Sequence, residues 1–120
     1  MLFKIDNTSI SLDDIFYIDL ESNDDNILDF YFNDDEPFSI ECEDINQVLE
    51  DLKKYKFLFY LEDSKTILNL KLVLSITIFT DHNDNCYLKI ITKNNYNLTL
   101  SLYTDDYSKA NKILEEMSRL

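Results

Sequence analysis

The chain has 120 residues, with 24 acidic and 11 basic side chains, a formal net charge of −13 at pH 7, and no glycine. Without glycine, the chain has no Walker-type phosphate loop, no G-x-G-x-x-G dinucleotide fingerprint and no G-x-S-x-G nucleophile elbow. The negative charge repels nucleic-acid phosphates and anionic lipid, so we expect no direct binding to nucleic acid or to a membrane.

The first half of the chain predicts a β-meander closed by a helix. Apolar and polar residues alternate over residues 16–20, 28–32 and 38–42, which is the period of half-buried strands. This alternation places Phe32 and Phe38 on the core side. Over residues 44–55 the apolar spacing becomes helical, and Asp44 with Gln47 resembles a capping box at its start.

The same order of patterns recurs in the second half. Strand patterns at residues 58–62, 74–78, 88–90 and 98–102 correspond to those at 2–6, 16–20, 28–32 and 38–42. They precede a helical pattern at about 105–119, and Leu74 is expected on the core side. We therefore predict an α+β fold of two tandem antiparallel β-meander-plus-helix units (ββββα twice), pseudo-symmetric and packed as one compact domain. Residues 1–56 would form an acidic unit and residues 57–120 a near-neutral unit. The alternative is two unrelated halves that share strand spacing.

The predicted turns are built from Asn and Asp. Such residues fill positions 6–7, 23–26, 33–35, 81, 83–85 and 94–95, between the predicted strands. Among non-glycine residues, Asn and Asp tolerate a left-handed backbone best. Part of the acidity is therefore expected to serve the turns.

The net charge is concentrated in the first unit. Residues 1–56 carry sixteen acidic side chains and four lysines, a net charge of −12, whereas residues 57–120 carry eight acidic and seven basic side chains, a net charge of −1. This asymmetry predicts a negative face for a basic partner, with simple solvation of the surface as the alternative. The predicted partner-binding residues are Asp13, Asp14, Asp19, Glu21, Asp24, Asp25, Asp29, Asp34, Asp35 and Glu36.

No catalytic, cofactor or metal site is predicted. Cys42 and Cys86 are expected to be reduced, buried thiols, with a disulfide or metal pair as the alternative. Residues 81–85 resemble the start of a calcium loop, but Cys86 stands where such loops need glycine. The segment therefore predicts a hairpin loop with His82 exposed.

These observations predict a non-enzymatic acidic protein that docks on and blocks a basic, nucleic-acid-handling protein such as a nuclease. Its carboxylates would stand in for backbone phosphates, as in phage-encoded inhibitors of host defence (the anti-CRISPR kind) and toxin-immunity proteins. We expect a cytoplasmic location, since no signal-peptide pattern and no membrane-spanning stretch is seen. The alternative is a structural or adaptor module that self-associates, for example as a homodimer, through strand edges or a tyrosine-bearing sheet face. Its acidity would then serve solubility alone.

Overall fold

The computed structural model describes residues 2–20, 25–33, 36–62, 64–101 and 107–119. In these ranges the chain forms ten strands and two α-helices, so the fold is mixed α+β, as predicted. The elements are β1 (Leu2–Ile5), β2 (Thr8–Ser11), β3 (Tyr17–Asp19), β4 (Ile27–Tyr31), β5 (Phe38–Glu41), α1 (Ile45–Leu52), β6 (Leu58–Leu61), β7 (Thr66–Asn69), β8 (Val73–Thr80), β9 (Cys86–Thr92), β10 (Asn97–Ser101) and α2 (Tyr107–Ser118). Short 3₁₀ turns at Leu12–Asp14 and Leu70–Leu72 lead into β3 and β8.

The strands form three antiparallel sheets, one of which joins the two halves of the chain. The five-stranded sheet has the order β5-β4-β3-β7-β6, so β7 from the second half pairs directly with β3 from the first. The order of the three-stranded sheet is β10-β9-β8, and β1 pairs with β2 in a separate hairpin. The element order therefore recurs along the chain, but the sheets do not divide at residue 56, and the pseudo-symmetric repeat stays a prediction.

Two apolar cores lie on opposite sides of the five-stranded sheet. Ile18 of β3 and Ile67 of β7 belong to the first core, with the β1–β2 hairpin and α1. Leu68 of β7 belongs to the second core, with β9, β10 and α2. Strand β7 is buried along its whole length because its two faces supply both cores. No helix in the described residues is long and apolar enough to cross a membrane.

The alternation predicted most core positions correctly and failed at three. Phe32, Phe38 and Leu74 are 38%, 49% and 63% exposed, so their predicted placement on the core is wrong. Phe32 lies just beyond the end of β4, and Phe38 begins the edge strand β5. Leu74 lies at a register shift, a bulge, between Val73 and Ser75. Alternation holds only within regular, covered strands, and each of these residues lies outside that condition.

Asn and Asp supply most of the left-handed turn positions, as predicted. Asp6, Asn26, Asp84 and Asn95 have positive φ angles of 51°, 58°, 63° and 65°. Lys65, in the β6–β7 turn, is the exception at 48°. Asn and Asp therefore take up much of the conformational role that glycine would otherwise have in these hairpins.

Candidate acidic binding face

Two predicted binding residues stand directly opposite each other in the middle of the five-stranded sheet. Asp19 on β3 and Asp29 on β4 are register partners, and both are half-buried. Directly opposed side chains in an antiparallel pair have their Cβ atoms about 4.5–5.5 Å apart, where like charges are destabilising. The fold therefore holds two carboxylates close together at some cost in stability.

Hydroxyl groups flank this carboxylate pair across the sheet. Ser39 on β5 is the register partner of Asp29, and its hydroxyl donates a hydrogen bond to Asp29 Oδ1. Thr66 on β7 is the register partner of Asp19. Two residues along the same strands, the rings of the register partners Tyr17 and Tyr31 stack, with their centroids 4.3 Å apart and an angle of 8° between their planes. Tyr17 also packs against the second core, so side-chain packing supports this part of the sheet.

A polar groove with three acidic side chains continues the negative surface past the sheet edge. It has a volume of about 320 Å³ and runs between the β1–β2 turn and the end of β5, where Asp6, Glu41 and Glu43 line it. The Asp6 carboxylate accepts a hydrogen bond from the Glu43 backbone amide at 3.0 Å, which fixes the turn against the chain leading into α1. Glu41 shares the sheet face of Asp29, since its register partner is Ile27. We call Asp19, Asp29, Glu41, Asp6 and Glu43 together the acidic face.

Cys42 lies against this groove as a buried thiol. Cys42 and Cys86 are not joined by a disulfide, and the two thiols belong to different cores. Burial, and then the negative charge of Asp6, raise the pKa of the Cys42 thiol. The thiol therefore stays protonated and packs as a small apolar side chain.

Asp13 is held at the junction between the two halves. Its Oδ1 atom lies 2.8 Å from Lys71 Nζ, and this hydrogen-bonded ammonium lowers the pKa of Asp13. The same ammonium lies 4.1 Å from the centre of the Phe57 ring. The Asp13 carboxylate therefore takes part in a contact between the two halves of the chain, whereas Asp19 and Asp29 are register partners within the five-stranded sheet.

Three further predicted residues that the structure describes lie near the ends of the strands of this sheet. Asp14, Asp25 and Glu36 are exposed. Asp25 and Glu43 lie at the same, open end of the β4–β5 hairpin. There the Cys42 amide donates a hydrogen bond to the Asn26 carbonyl at 2.7 Å, and these two residues are the neighbours of Glu43 and Asp25 in the sequence. Asp14 and Glu36 lie toward the opposite end of the strands. Glu21, Asp24, Asp34 and Asp35 fall outside the described residues.

The loop at residues 81–85 closes on itself around Asp81. The Asp81 Oδ1 atom accepts hydrogen bonds from the backbone amides of Asn83 at 2.9 Å and Asn85 at 3.0 Å, and Tyr87 donates its hydroxyl to Oδ2 at 3.1 Å. Burial raises the pKa of Asp81, but these hydrogen bonds outweigh it and set the pKa below its ordinary value. The carboxylate serves the hairpin, and His82 is exposed beside it, as predicted. Within the described ranges, no group of three or more His, Cys, Asp or Glu side chains is arranged to hold a metal ion.

Sequence reasoning missed three members of the acidic face. Glu41 could have been found, because it alternates with the buried Ile40 on a predicted strand. Asp6 and Glu43 could not, because their contact joins a turn to a distant segment and leaves no local pattern. Comparisons with protein-family models, with curated proteins and with solved structures found no match to this chain.

Proposed function

We propose that this chain is a non-enzymatic binding protein that docks its acidic face on a basic protein that handles nucleic acid, and blocks it. The observation that carries the proposal is the absence of any Lys, Arg or His between Lys4 and Lys53, a stretch that holds all sixteen acidic residues of the first half. A solubilising surface needs interspersed charges of both signs. A surface of one sign over a whole face attracts and orients a partner of the opposite sign.

The geometry supports mimicry of a phosphate backbone. Asp19 and Asp29 lie side by side across two strands, and Glu41 and the groove residues extend the same sign past the sheet edge. The first core packs against the back of this sheet through Ile18 and Leu28, and Tyr17 and Leu68 of the second core share the face of the carboxylates, so the carboxylates lie on a sheet that is packed on both sides. A rigid array of anions suits a cleft lined by Lys and Arg, because little order is lost when it binds.

The proposed target is a nuclease or a related nucleic-acid-binding protein, and the proposed place of action is the cytoplasm. Blockade would be steric, since the acidic face would occupy the cleft in place of the substrate. Inhibitors of host defence carried by phage, anti-CRISPR proteins and toxin-immunity proteins are the classes that act in this manner. The chain itself would bind no nucleic acid and would need no cofactor or metal.

We also propose that residues 1–56 and 57–120 are two copies of one unit. The two 3₁₀ turns support this, since Leu12–Asp14 and Leu70–Leu72 occupy the same place in each series of elements. The contact between Asp13 and Lys71 then joins corresponding positions of the two copies, with opposite charge in each. A duplication followed by divergence of charge would leave one acidic copy for the partner and one near-neutral copy as its support.

Competition with nucleic acid tests the proposed function. The immobilised chain is used to capture proteins from a bacterial lysate at low salt, and duplex DNA is then added at constant ionic strength. We expect basic, nucleic-acid-binding proteins to be captured and to be displaced by DNA. We expect the same proteins to be lost when salt rises to about 0.5 M, because exposed charges are then screened within about 4 Å. Capture that resists both DNA and salt would contradict the proposal.

A further inference from the structure

The second half carries an open strand edge in β8. Among the strands that the structure describes, β8 pairs with β9 on one side and is the last strand of its sheet on the other. Its eight residues include no charged side chain, and Leu74 and Phe79 are exposed. Natural edge strands are commonly protected by charge, proline or shortness. The edge strand β5 fits this pattern, with Pro37 just before it and Glu41 at its end.

A groove runs along the start of this edge. It has a volume of about 270 Å³ and separates the start of β8 from the C-terminal half of α2, with Leu74 and Ile76 on one wall and Leu114 and Met117 on the other. A bulge at Leu74 bends the strand there, and beyond it the strand runs regularly from Ser75 to Thr80. Six residues of regular, uncharged edge are therefore available beside a groove lined mostly by apolar side chains.

The corresponding place in the first half is filled by a strand. There β7 pairs with the edge of β3, and Ile67 of β7 joins Leu52 of α1 in the first core. Leu58 of β6 and Leu49 of α1 pack against the same core. The chain thus shows what completes such an edge, namely a further strand whose apolar side chains cover the helix.

We infer that the free edge of β8 binds the β8 edge of a second copy of this chain, in an antiparallel and symmetric dimer. Thr77 would face Thr77 of the second copy, and Ile76 would face Ile78, which keeps Ile76 and Ile78 of both copies on one side of a continuous six-stranded sheet. A symmetric pairing of this kind closes on itself. The half with a net charge of −1 would lie at the interface, and the halves with a net charge of −12 would point away from each other.

The β1–β2 hairpin fits the same edge poorly. It is the counterpart of β6–β7, but its outward face carries Lys4 and Ser9 where the β6–β7 hairpin carries Tyr60 and Ile67. A second copy bound through that hairpin would bring a charge and a hydroxyl against the apolar side chains Leu114 and Met117 of the groove. The β8 edge presents Ile76 and Ile78 instead, so β8 is the better-matched strand.

Sedimentation equilibrium tests the dimer. We expect the wild-type chain to be dimeric at about 100 μM and 0.15 M salt, and to associate more tightly as salt rises, because two chains of charge −13 repel each other. Thr77→Lys places a charge in the middle of the exposed edge and should weaken dimerisation at least tenfold. Thr99→Lys, at an exposed position of β10 in the same sheet, is the matched control and should leave dimerisation unchanged.

Two cysteine variants give a second test of the dimer that does not depend on the lysine variants. Under mild oxidation Thr77→Cys should form a disulfide-linked dimer and Thr99→Cys should not, since the native thiols are buried. A wild-type monomer at both salt concentrations, or equal behaviour of the Thr77 and Thr99 variants, would overturn the inference. Neither result would affect the proposed function, because docking uses the acidic face and not the β8 edge. The two processes also respond oppositely to salt, since dimerisation should become tighter and docking weaker as the salt concentration rises.

Discussion

The Nδ2 atom of Asn69 lies 2.8 Å from the carbonyl oxygen of Ile15, and this hydrogen bond joins the second half of the chain to the first. The same amide group also donates to the carbonyls of Leu12 and Asp13, and its Oδ1 atom accepts from the Lys71 amide at 3.0 Å. Asn69 is fully buried. One side chain therefore satisfies the backbone of both 3₁₀ turns at the point where the halves meet.

Replacing Asn69 should be the most damaging polar substitution in the molecule. Asn69→Ala removes the partner of several buried backbone groups, and we expect it to lower the free energy of unfolding by about 3 kcal/mol. Urea denaturation measures the change. Asn46→Ala, on the exposed surface of α1, is the control and should change the free energy of unfolding by less than about 1 kcal/mol. Similar losses in both variants would contradict the bridging role of Asn69.

The pKa of Asp13 should depend on Lys71. In the wild-type chain the ammonium lowers this pKa, and Lys71→Met should return the pKa toward its ordinary value of about 4. A lowered pKa stabilises the fold above the ordinary pKa, and this contribution is lost as the pH falls through the folded-state pKa. The stability difference between wild type and Lys71→Met should therefore shrink on acidification below about pH 4. NMR titration of the carboxyl carbon measures the pKa directly, and an unchanged value in Lys71→Met would refute the assignment.

The Asp81 carboxylate should control the order of the β8–β9 hairpin. Asp81→Ala removes the acceptor for two backbone amides, so the amide hydrogens of Asn83 and Asn85 should exchange faster with solvent. Asp81→Asn retains an acceptor oxygen and should keep much of their protection. It removes the hydrogen-bonded negative charge that raises the pKa of Tyr87, so that pKa should fall toward its ordinary value. Equal exchange rates in wild type and Asp81→Ala would show that the loop is held by other contacts.

Relief of the opposed carboxylates should stabilise the sheet. Asp29→Asn keeps an oxygen for the Ser39 hydroxyl but removes one of the two facing charges, and we expect a gain of about 0.5 kcal/mol in the free energy of unfolding. Asp84→Asn removes a charge from an exposed loop and controls for the general effect of lower net charge. If both variants raise the free energy of unfolding by the same amount, Asp19 and Asp29 do not repel each other measurably. A specific gain for Asp29→Asn fits a residue retained for binding at the expense of stability.

The local patterns of the sequence predicted the elements better than their assembly. Helix α1 follows from apolar spacing and from Asp44, whose side chain accepts a hydrogen bond from the Gln47 amide at 3.2 Å. Strand β7 was not predicted, because its burial on both faces abolishes the alternation that marks a strand. Its pairing with β3 joins segments about fifty residues apart, and no local pattern encodes such a partner.

The candidate site was predicted only in the part that depends on local strand patterns. Strand alternation placed Asp19 and Asp29 on the outward face, and the structure makes them register partners. The link between Asp13 and Lys71 could not be foreseen, because it depends on how the two halves meet. Counting charges gives the sign of a surface, whereas the tertiary contacts decide which carboxylates, such as Asp13, join the two halves of the fold.

We propose that the position of the acidic side chains, and not only their number, determines how tightly the chain binds its basic partner. Two variants with the same net charge separate these effects, since each neutralises four carboxylates and changes the net charge from −13 to −9. The first combines Asp25→Asn, Asp29→Asn, Glu41→Gln and Glu43→Gln, in and beside the acidic face. The second changes exposed residues of the second half, namely Glu62→Gln, Asp84→Asn, Glu115→Gln and Glu116→Gln.

The most direct measurement is the affinity of both variants for a captured basic partner, determined by calorimetry at several salt concentrations. We predict that the first variant binds at least tenfold more weakly than wild type, with a shallower dependence on salt, because carboxylates at the interface are lost. The second variant should bind within about twofold of wild type, since its changes lie outside the interface. Equal affinities for the two variants would contradict the claim and leave the acidity of this chain as a matter of solubility.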